Sequence, residues 1–150
     1  MNDYVLYILM RNDLPSMNVG RAAAQASHAS NAFIHSFGKR NDVKKWQKQT
    51  SQGFGTAIVL SADKKTIQFT IDNINKCKDC PISWVTDPEY GMPVTKEIWE
   101  HISIELQSAQ PVVKEDGMVV WFRKEDTCAY IFGSKEDLLP FLGELPLWPN

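Results

Sequence analysis

The apolar and polar positions at the start of the chain predict a strand followed by a helix. Tyr4–Met10 is a continuous apolar and aromatic run, which is typical of a central strand buried on both faces. Residues 16–37 instead place small and aromatic side chains at helical spacing, on the stripe Ala22, Ala26, Ala29, Phe33 and Phe37. Because most of this stripe is alanine, the helix axis can come close to the sheet that it covers.

The remaining patterns predict an α/β fold in a single domain that spans residues 1–150. Helices are expected at 41–49, 64–76, 95–108 and 135–142, and strands at 56–60, 81–86, 118–123 and 128–132. The run TIQFTI also fits a strand, but Ile67, Ile71 and Ile74 favour the helix. The strand at 56–60 is predicted to be interior. The last two strands are predicted to form a hairpin around Lys124–Asp126, and the apolar tail 145–148 is expected to pack on the body.

A polar stripe on the first helix is a candidate for chemistry. Arg21, Gln25, His28 and His35 align on it, and either Ser16 or Asn18 could cap the helix. The first turn carries an arginine and no acid, although the positive end of the helix dipole favours acids there. A guanidinium and free backbone N–H groups would suit an incoming anion. The alternative is an exposed arginine at the end of an amphipathic helix.

Asp87 is the second candidate for the same site. It follows the strand predicted at 81–86, and ligands in open α/β sheets bind at the carboxyl ends of strands. Asp87 could therefore complete a polar pocket with the first helix. The alternative is an ordinary turn aspartate before Pro88.

Composition and charge narrow the function classes. A hydrophobic content of 43% and five tryptophans indicate a packed core. Neither a basic N-terminal region nor an apolar run of about 20 residues is present, so we expect a soluble, cytoplasmic protein without a membrane partner. A net charge of −2 does not indicate a general nucleic-acid binder, but one basic patch could contact a polyanion. It comprises Lys39, Arg40, Lys44, Lys45 and Lys48. The alternative is a solvated helix face.

The three cysteines do not indicate a metal or a disulfide framework. Cys77 and Cys80 form a CxxC, but Cys128 has no partner ligand beside it, and zinc would need two more ligands. A thioredoxin-like pair would lie at a helix start, whereas this pair precedes Pro81. We therefore expect packing cysteines at a helix-to-strand turn and no metal or cofactor.

The sequence RNDLPSMNVGRAAAQASHA closely resembles the signature of type II peptidyl-tRNA hydrolases, the archaeal and eukaryotic type. Members of that family read RxDL and then MxxGKxAAQxxHA. The matching residues are Arg11, Asp13, Leu14, Met17, Gly20, Ala23, Ala24, Gln25, His28 and Ala29. The resemblance continues through Trp46, Ile58, the helix after Asp63, and Asp87 at the aspartate of the family's DAGRTQ segment. It resumes at Ala129 and includes GELPLW near the end.

The resemblance implies a fold and an activity. It implies a three-layer α/β/α arrangement around a small mixed sheet, here with an added helix-hairpin segment at about 93–126. The family hydrolyses the ester between a peptide and the 3′ end of tRNA without a required metal. By position, Arg21 replaces a catalytic or tRNA-contacting lysine, and Gln25, His28 and Asp87 match catalytic positions. Asn18, Gly20, Arg21 and the five basic-patch residues are then the expected tRNA contacts, and a homodimer is a further expectation.

The resemblance implies a mechanism in which water attacks the ester carbonyl. Asp87 or His28 would orient or deprotonate that water. Arg21 and the helix N–H groups would stabilise the oxyanion or a nearby phosphate.

Departures from the family pattern leave a second hypothesis open. Arginine at position 21 keeps the charge of lysine but cannot carry protons. Val19 stands where a basic residue is common, and DPEYGM replaces DAGRTQ. The first hypothesis is therefore an esterase acting on peptidyl-tRNA or N-substituted aminoacyl-tRNA. The second is a catalytically weak or inactive tRNA- or protein-binding module on the same scaffold.

Overall fold

The chain folds around a mixed β-sheet covered by helices on both faces. A computed structural model describes residues 3–101, 112–113 and 116–149. The strands are β1 (Tyr4–Arg11), β2 (Ala57–Ala62), β3 (Ile82–Thr95), β4 (Val112–Val113) and β5 (Met118–Ser134). The helices are α1 (Val19–Phe37), α2 (Asn41–Gln47), α3 (Lys64–Cys77), α4 (Lys96–His101) and α5 (Lys135–Leu142).

The sheet has the order β2-β1-β5-β3, with the short β4 paired to β5. The strands β1 and β2 are parallel, and β5 runs antiparallel to both β1 and β3. The prediction that Tyr4–Met10 is a central strand is confirmed, because β1 lies between β2 and β5. Alternate residues of β1 are buried on opposite faces of the sheet, as a strand covered on both sides requires.

Each face of the sheet packs against a pair of helices, which confirms the three-layer α/β/α arrangement. One face carries α1 and α2, whose Ala29, Phe33 and Trp46 bury against Leu6 and Ile8 of β1. The other face carries α3 and α5, through side chains including Ile67, Ile71, Ile74, Leu138 and Leu142. The helical periodicity of α3 therefore decides its structure over the alternating TIQFTI pattern.

Two predicted turns are wrong because both strands continue through them. The strand predicted to end at residue 86 continues to Thr95, and the segments 118–123 and 128–132 belong to one strand, β5, rather than to a hairpin. Proline is tolerated in β3 because β3 is an edge strand with irregular pairing between Asp87 and Tyr90. We call the paired segments Tyr90–Thr95 and Met118–Arg123 the arm.

The predicted turn at Lys124–Asp126 fails for an electrostatic reason. Its two acids resemble solvent-facing turn residues in the sequence, but in the structure both have partners. Glu125 contacts Arg11 and Arg123, while Asp126 accepts a hydrogen bond from Thr86 at 2.6 Å. Because the charges are compensated by neighbouring elements, the polar stretch stays in the sheet.

The strand β2 is an edge strand, so the expectation that it is interior is wrong. Its free edge is covered by the C-terminal tail, which confirms that this tail packs on the body. Ser61 N donates to Pro146 O at 2.8 Å, and Trp148 N donates to Val59 O at 3.0 Å. Covering an edge in this way protects its backbone groups from pairing with another chain.

The helix boundaries follow the predictions with small shifts. Asn18, rather than Ser16, caps α1 by accepting from Arg21 N at 2.9 Å. Helix α4 begins one residue after the predicted start, and the predicted continuation to residue 108 lies outside the described residues. Within the described residues, no helix has the length and apolar character to cross a membrane.

Candidate active site

Residues from α1, β3 and β5 meet where β1 ends and α1 begins. The loop after β1 leads into the first turn of α1, which carries Arg21, and the second turn carries Gln25. Strand β3 passes beside this helix with Asp87 at its irregular section. Residues separated by about 60 to 100 positions in sequence are therefore adjacent in space.

A short hydrogen bond in this region joins Gln25 and Asp87. Gln25 Nε2 donates to Asp87 Oδ2 at 2.7 Å, although Gln25 is only 4% exposed. The other carboxylate oxygen of Asp87 accepts from Glu89 N at 2.9 Å. The Asp87 carboxylate is thus fixed at both oxygens and is not a free turn residue.

A threonine that the sequence analysis missed orients Gln25. The fully buried Thr127 donates from its hydroxyl to Gln25 Oε1 at 2.7 Å. With its oxygen already accepting a hydrogen bond, the carboxamide presents its NH₂ group to Asp87. Thr127 directly follows the added segment expected at about 93–126. No local pattern marks it, because only the pairing of β5 with β3 brings it to α1.

Arg21 lies one turn before Gln25 and is held by backbone carbonyls. Its Nη1 donates to Gly91 O at 2.8 Å and to Ser16 O at 3.2 Å. Its guanidinium carbon lies 5.5 Å from the centre of the Tyr90 ring, which is within cation–π range. Arg21 is therefore not a freely extended surface arginine.

A small cavity opens beside Arg21 between the start of α1 and the arm. It has a volume of about 270 Å³ and is lined by loop residues 15–18, Arg21, Pro93 and Val120. Asn18 therefore lines the cavity, and Gly20 is exposed next to it in the first turn of α1. Among the described residues, those lining this cavity include no carboxylate, which suits an anionic group.

His28 does not join these contacts. It is exposed on α1, and within the described residues no hydrogen bond or ion pair links it to Arg21, Gln25 or Asp87. Of the four residues predicted to converge, the structure brings Gln25 and Asp87 into contact, places Arg21 one turn away and leaves His28 at the surface.

A charged cluster lies under the same end of the sheet. Arg11 is 7% exposed and forms a two-pronged contact with Asp13 at 2.9 and 3.0 Å. It also donates to Glu125 at 2.7 Å, and Glu125 contacts Arg123 at 3.0 Å. The hydrogen bond from Arg11 lowers the pKa of the Asp13 carboxyl. This cluster connects β1 to β5 where the arm leaves the body.

The basic patch lies toward the other end of α1. From Arg21 to Phe37 the helix axis runs about 24 Å. Lys39, Lys44, Lys45 and Lys48 are exposed, whereas Arg40 is paired with Asp42 at 2.9 Å. Lys45 and Lys48 line a cavity of about 700 Å³ together with Lys135. The structure therefore separates the patch from the Gln25–Asp87 pair, and the ion pair reduces the charge that Arg40 can offer.

The thiols and acidic side chains in the described part of the chain form no metal centre. Burial raises the pKa of Cys80 to about 11 and that of Cys128 to about 12, which keeps both thiols protonated. Cys77 ends α3 and Cys80 precedes β3, so both lie at the expected helix-to-strand turn. Cys77 is exposed, however, so the expectation that it is a packing cysteine is wrong. Within residues 3–101, 112–113 and 116–149, no group of three or more His, Cys, Asp or Glu side chains could hold a metal ion.

Comparison with known proteins identifies the family. A family model described as "Peptidyl-tRNA hydrolase PTH2" matches residues 4–92, which is more than half of the chain. The chain belongs to the PTH2 family of peptidyl-tRNA hydrolases, and its α/β fold agrees with this membership. No curated protein matches the chain. The matched region contains Arg21, Gln25, His28 and Asp87 and ends within the arm.

Proposed function

We propose that this protein hydrolyses the ester bond of peptidyl-tRNA or N-substituted aminoacyl-tRNA and releases free tRNA. The observation that carries the proposal is the hydrogen bond between Gln25 and Asp87 at 2.7 Å, in a chain of the PTH2 family. A buried carboxamide fixed between Thr127 and a carboxylate is a preorganised arrangement, and preorganised groups are what catalysis requires.

In the proposed mechanism Asp87 orients the attacking water and accepts its proton. Both of its oxygens are held by N–H donors, yet each keeps a lone pair for a water molecule. Gln25 keeps the carboxylate in place and uses its second amide hydrogen toward the substrate. The hydroxide adds to the ester carbonyl, the bond from the carbonyl carbon to the 3′ oxygen breaks, and the 3′ oxygen leaves with the proton that Asp87 took from the water.

Arg21 and the N-terminus of α1 supply positive charge. The guanidinium and the N–H groups near Asn18 and Gly20 would stabilise the oxyanion or the phosphate next to the terminal nucleoside. The absence of a carboxylate among the residues lining the neighbouring cavity supports this role. His28 is the alternative base. We favour Asp87, because no contact in the described part of the chain orients the His28 ring.

The first prediction concerns hydrolysis. Wild-type protein should release tRNA from a model peptidyl-tRNA. Asp87→Asn should reduce kcat by about 10²- to 10⁴-fold, because it removes the proton acceptor at nearly constant shape. Gln25→Ala and Arg21→Ala should each cost about 10²-fold or more. His28→Ala should cost less than about tenfold, because no contact within the described residues positions His28. A positioned acid or base would contribute more than that.

The same assay tests the alternative, a weakly active or inactive module that binds tRNA or protein. Hydrolysis is favoured over it because Asp87 points to Gln25 rather than away from it. An absence of wild-type turnover, with tRNA affinity retained, would remove the enzyme hypothesis. If His28→Ala lowered kcat more than Asp87→Asn does, His28 and not Asp87 would be the base that accepts the proton of the water.

We further propose that the exposed lysines Lys39, Lys44, Lys45 and Lys48 contact the tRNA backbone, with Arg40 contributing less because of Asp42. Cytoplasmic location follows from this proposed role in translation. The homodimer remains a prediction, which analytical ultracentrifugation would test.

A further inference from the structure

The arginines of this protein differ in the edge of the guanidinium that contacts the protein. Arg11 and Arg40 each donate from Nε and Nη2 to both oxygens of a carboxylate at 2.9 to 3.0 Å; the carboxylates belong to Asp13 and Asp42. The Nε–Nη2 edge is a fork of two parallel N–H groups, which matches an anion with two oxygens. Arg21 is held differently, because both of its side-chain hydrogen bonds within the described residues come from Nη1.

The Nε–Nη2 edge of Arg21 has no acceptor among the described residues. Nη1 donates to the carbonyls of Ser16 and Gly91 at 3.2 and 2.8 Å, and the guanidinium carbon lies 5.5 Å from the centre of the Tyr90 ring. Two carbonyls at one nitrogen and a ring against the face hold the guanidinium but use neither Nε nor Nη2. Neither of these nitrogens is buried, whereas Arg123 Nε is buried without a partner. The edge is therefore positioned by the protein and can still bind an anion.

The surroundings of Arg21 favour an anion that is part of a larger molecule. Arg21 lines the cavity of about 270 Å³ between the start of α1 and the arm, and no acid is among its described lining residues. The lining also includes four apolar side chains, which are Pro15, Met17, Pro93 and Val120. Sites that combine apolar walls with a few polar groups are typical of organic ligands. A phosphate that carries a nucleoside fits this combination better than a free inorganic ion does.

We infer that Arg21 binds, through Nε and Nη2, the phosphodiester that precedes the terminal nucleoside of tRNA, and does not stabilise the oxyanion. A phosphodiester presents two oxygens to the fork, whereas the charge of the oxyanion develops on one oxygen. One ribose separates this phosphate from the ester oxygen, and one helical turn of about 5.4 Å separates Arg21 from Gln25. The oxyanion is then left to Gln25 and to the N–H groups at the start of α1. The choice of tRNA rests on the proposed function, while the anion-binding edge rests on the contacts of Arg21 alone.

Binding of the phosphodiester can be tested without hydrolysis. The probe is adenosine 5′-(methyl phosphate), and adenosine is the matched compound without the phosphodiester. The probe should shift the NMR resonance of Arg21 Nε–H, and adenosine should not. Arg21→Lys keeps the charge but loses the fork, so it should weaken binding of the probe about tenfold and leave binding of adenosine unchanged. Arg40→Lys is the control, because Asp42 already occupies the fork of Arg40.

Two results of these titrations would overturn the inference. One is an Arg21 resonance that does not respond to millimolar probe, or equal affinities of wild type and Arg21→Lys for it. The other concerns a carboxylate, which also has two oxygens and which hydrolysis would leave on the peptide. N-acetylglycine is therefore titrated in parallel, and a response of Arg21 to N-acetylglycine but not to the probe would contradict the assignment to a phosphate.

Hydrolysis separates a phosphate contact from an oxyanion contact. The substrates are the 3′-(N-acetylglycyl) esters of the probe and of adenosine, which differ only in the phosphodiester. Arg21→Ala should lower kcat/KM about 10²-fold for the ester of the probe and less than about twofold for the ester of adenosine, which has no phosphate to lose. Both esters form the same oxyanion, so equal losses would place Arg21 at the oxyanion and overturn the inference. The titrations decide alone if the wild type does not hydrolyse these short esters.

The outcomes separate this inference from the proposed function. If wild-type protein releases no tRNA but Arg21 responds to the probe, the proposed function fails and the anion site stands. If the wild type is active while Arg21 does not respond, the anion site fails and the hydrolase remains.

Discussion

Gln25 owes its orientation to a residue 102 positions away in the chain. An amide group can point either its oxygen or its nitrogen at a neighbour, and only the nitrogen is a favourable partner for a carboxylate. The Thr127 hydroxyl removes this ambiguity by donating to the oxygen. A buried side chain with both ends satisfied is rigid, which is what the proposed role of Gln25 beside the ester requires.

Replacing Thr127 by valine should separate orientation from packing. Thr127→Val keeps the shape but leaves Gln25 Oε1 buried without a donor, so it should destabilise the protein by about 1–2 kcal/mol. It should also lower kcat, because Gln25 loses one of the two hydrogen bonds that hold its carboxamide in place against Asp87. Urea unfolding and single-turnover hydrolysis measure the two effects. Thr127→Ser, which keeps the hydroxyl, is the control. If Thr127→Ser lowered kcat as much as Thr127→Val does, the hydroxyl would not be what orients Gln25.

At the scale of single elements, the Arg11 cluster connects β1 to the strand that carries the arm. Two arginine–aspartate pairs in this protein share the same spacing of two residues. Arg11–Asp13 is buried at the arginine, and Arg40–Asp42 is half exposed. The chain therefore contains an internal control for the effect of burial.

Arg11→Leu should destabilise the protein by about 3 kcal/mol, because it removes one of the two arginines that pair with the largely buried Glu125 carboxylate. Arg40→Leu should cost less than about 1 kcal/mol. Chemical unfolding of both variants measures the difference. Equal values for the two arginines would contradict the role assigned to burial.

The same cluster predicts a pH dependence. The pKa of Asp13 is lowered in the folded state, so its stabilising effect is complete above the pKa of the unfolded chain. The effect is lost as the pH falls through the lower folded pKa. The stability difference between wild type and Arg11→Leu should therefore shrink in acid, as measured by unfolding at several pH values. A difference that stays constant down to about pH 2 would exclude Asp13 as the partner that matters.

The elements show what periodicity can and cannot predict. The apolar run of β1 and the alanine stripe of α1 are local patterns, and both elements form as predicted. The continuation of β3 past Pro88 and of β5 past Glu125 depends on partners that are distant in sequence. Pairing and charge compensation override the local turn signals there. For the same reason Asp87 could be assigned to the candidate site from the end of a predicted strand, while Thr127 could not be found.

At the scale of the whole molecule, the basic patch and the Gln25–Asp87 pair lie toward opposite ends of α1. A substrate that contacts both must be extended over roughly the length of that helix, about 24 Å. A stretch of nucleic acid attached to an ester at its end meets this requirement, whereas a small ester does not. The net charge of −2 means that such contacts depend on the local patch.

Salt dependence tests whether the patch contacts phosphates. Affinity for tRNA should fall steeply with increasing salt, and charge reversal at Lys44 and Lys45 should reduce the slope by about one unit for each phosphate that is no longer neutralised. Charge reversal at Lys65 and Lys76 on α3 changes the net charge equally and is the matched control. Binding titrations at several salt concentrations measure the slopes. Identical slopes for the two double variants would show that the patch is an ordinary solvated face and does not contact phosphates.

The covering of β2 by the C-terminal tail has a consequence for the lifetime of the folded protein. Removal of residues 146–148 would uncover the N–H of Ser61 and the carbonyl of Val59. An uncovered strand edge of this kind is a template for pairing with another chain. Residues 146–148 therefore protect this protein against edge-to-edge aggregation.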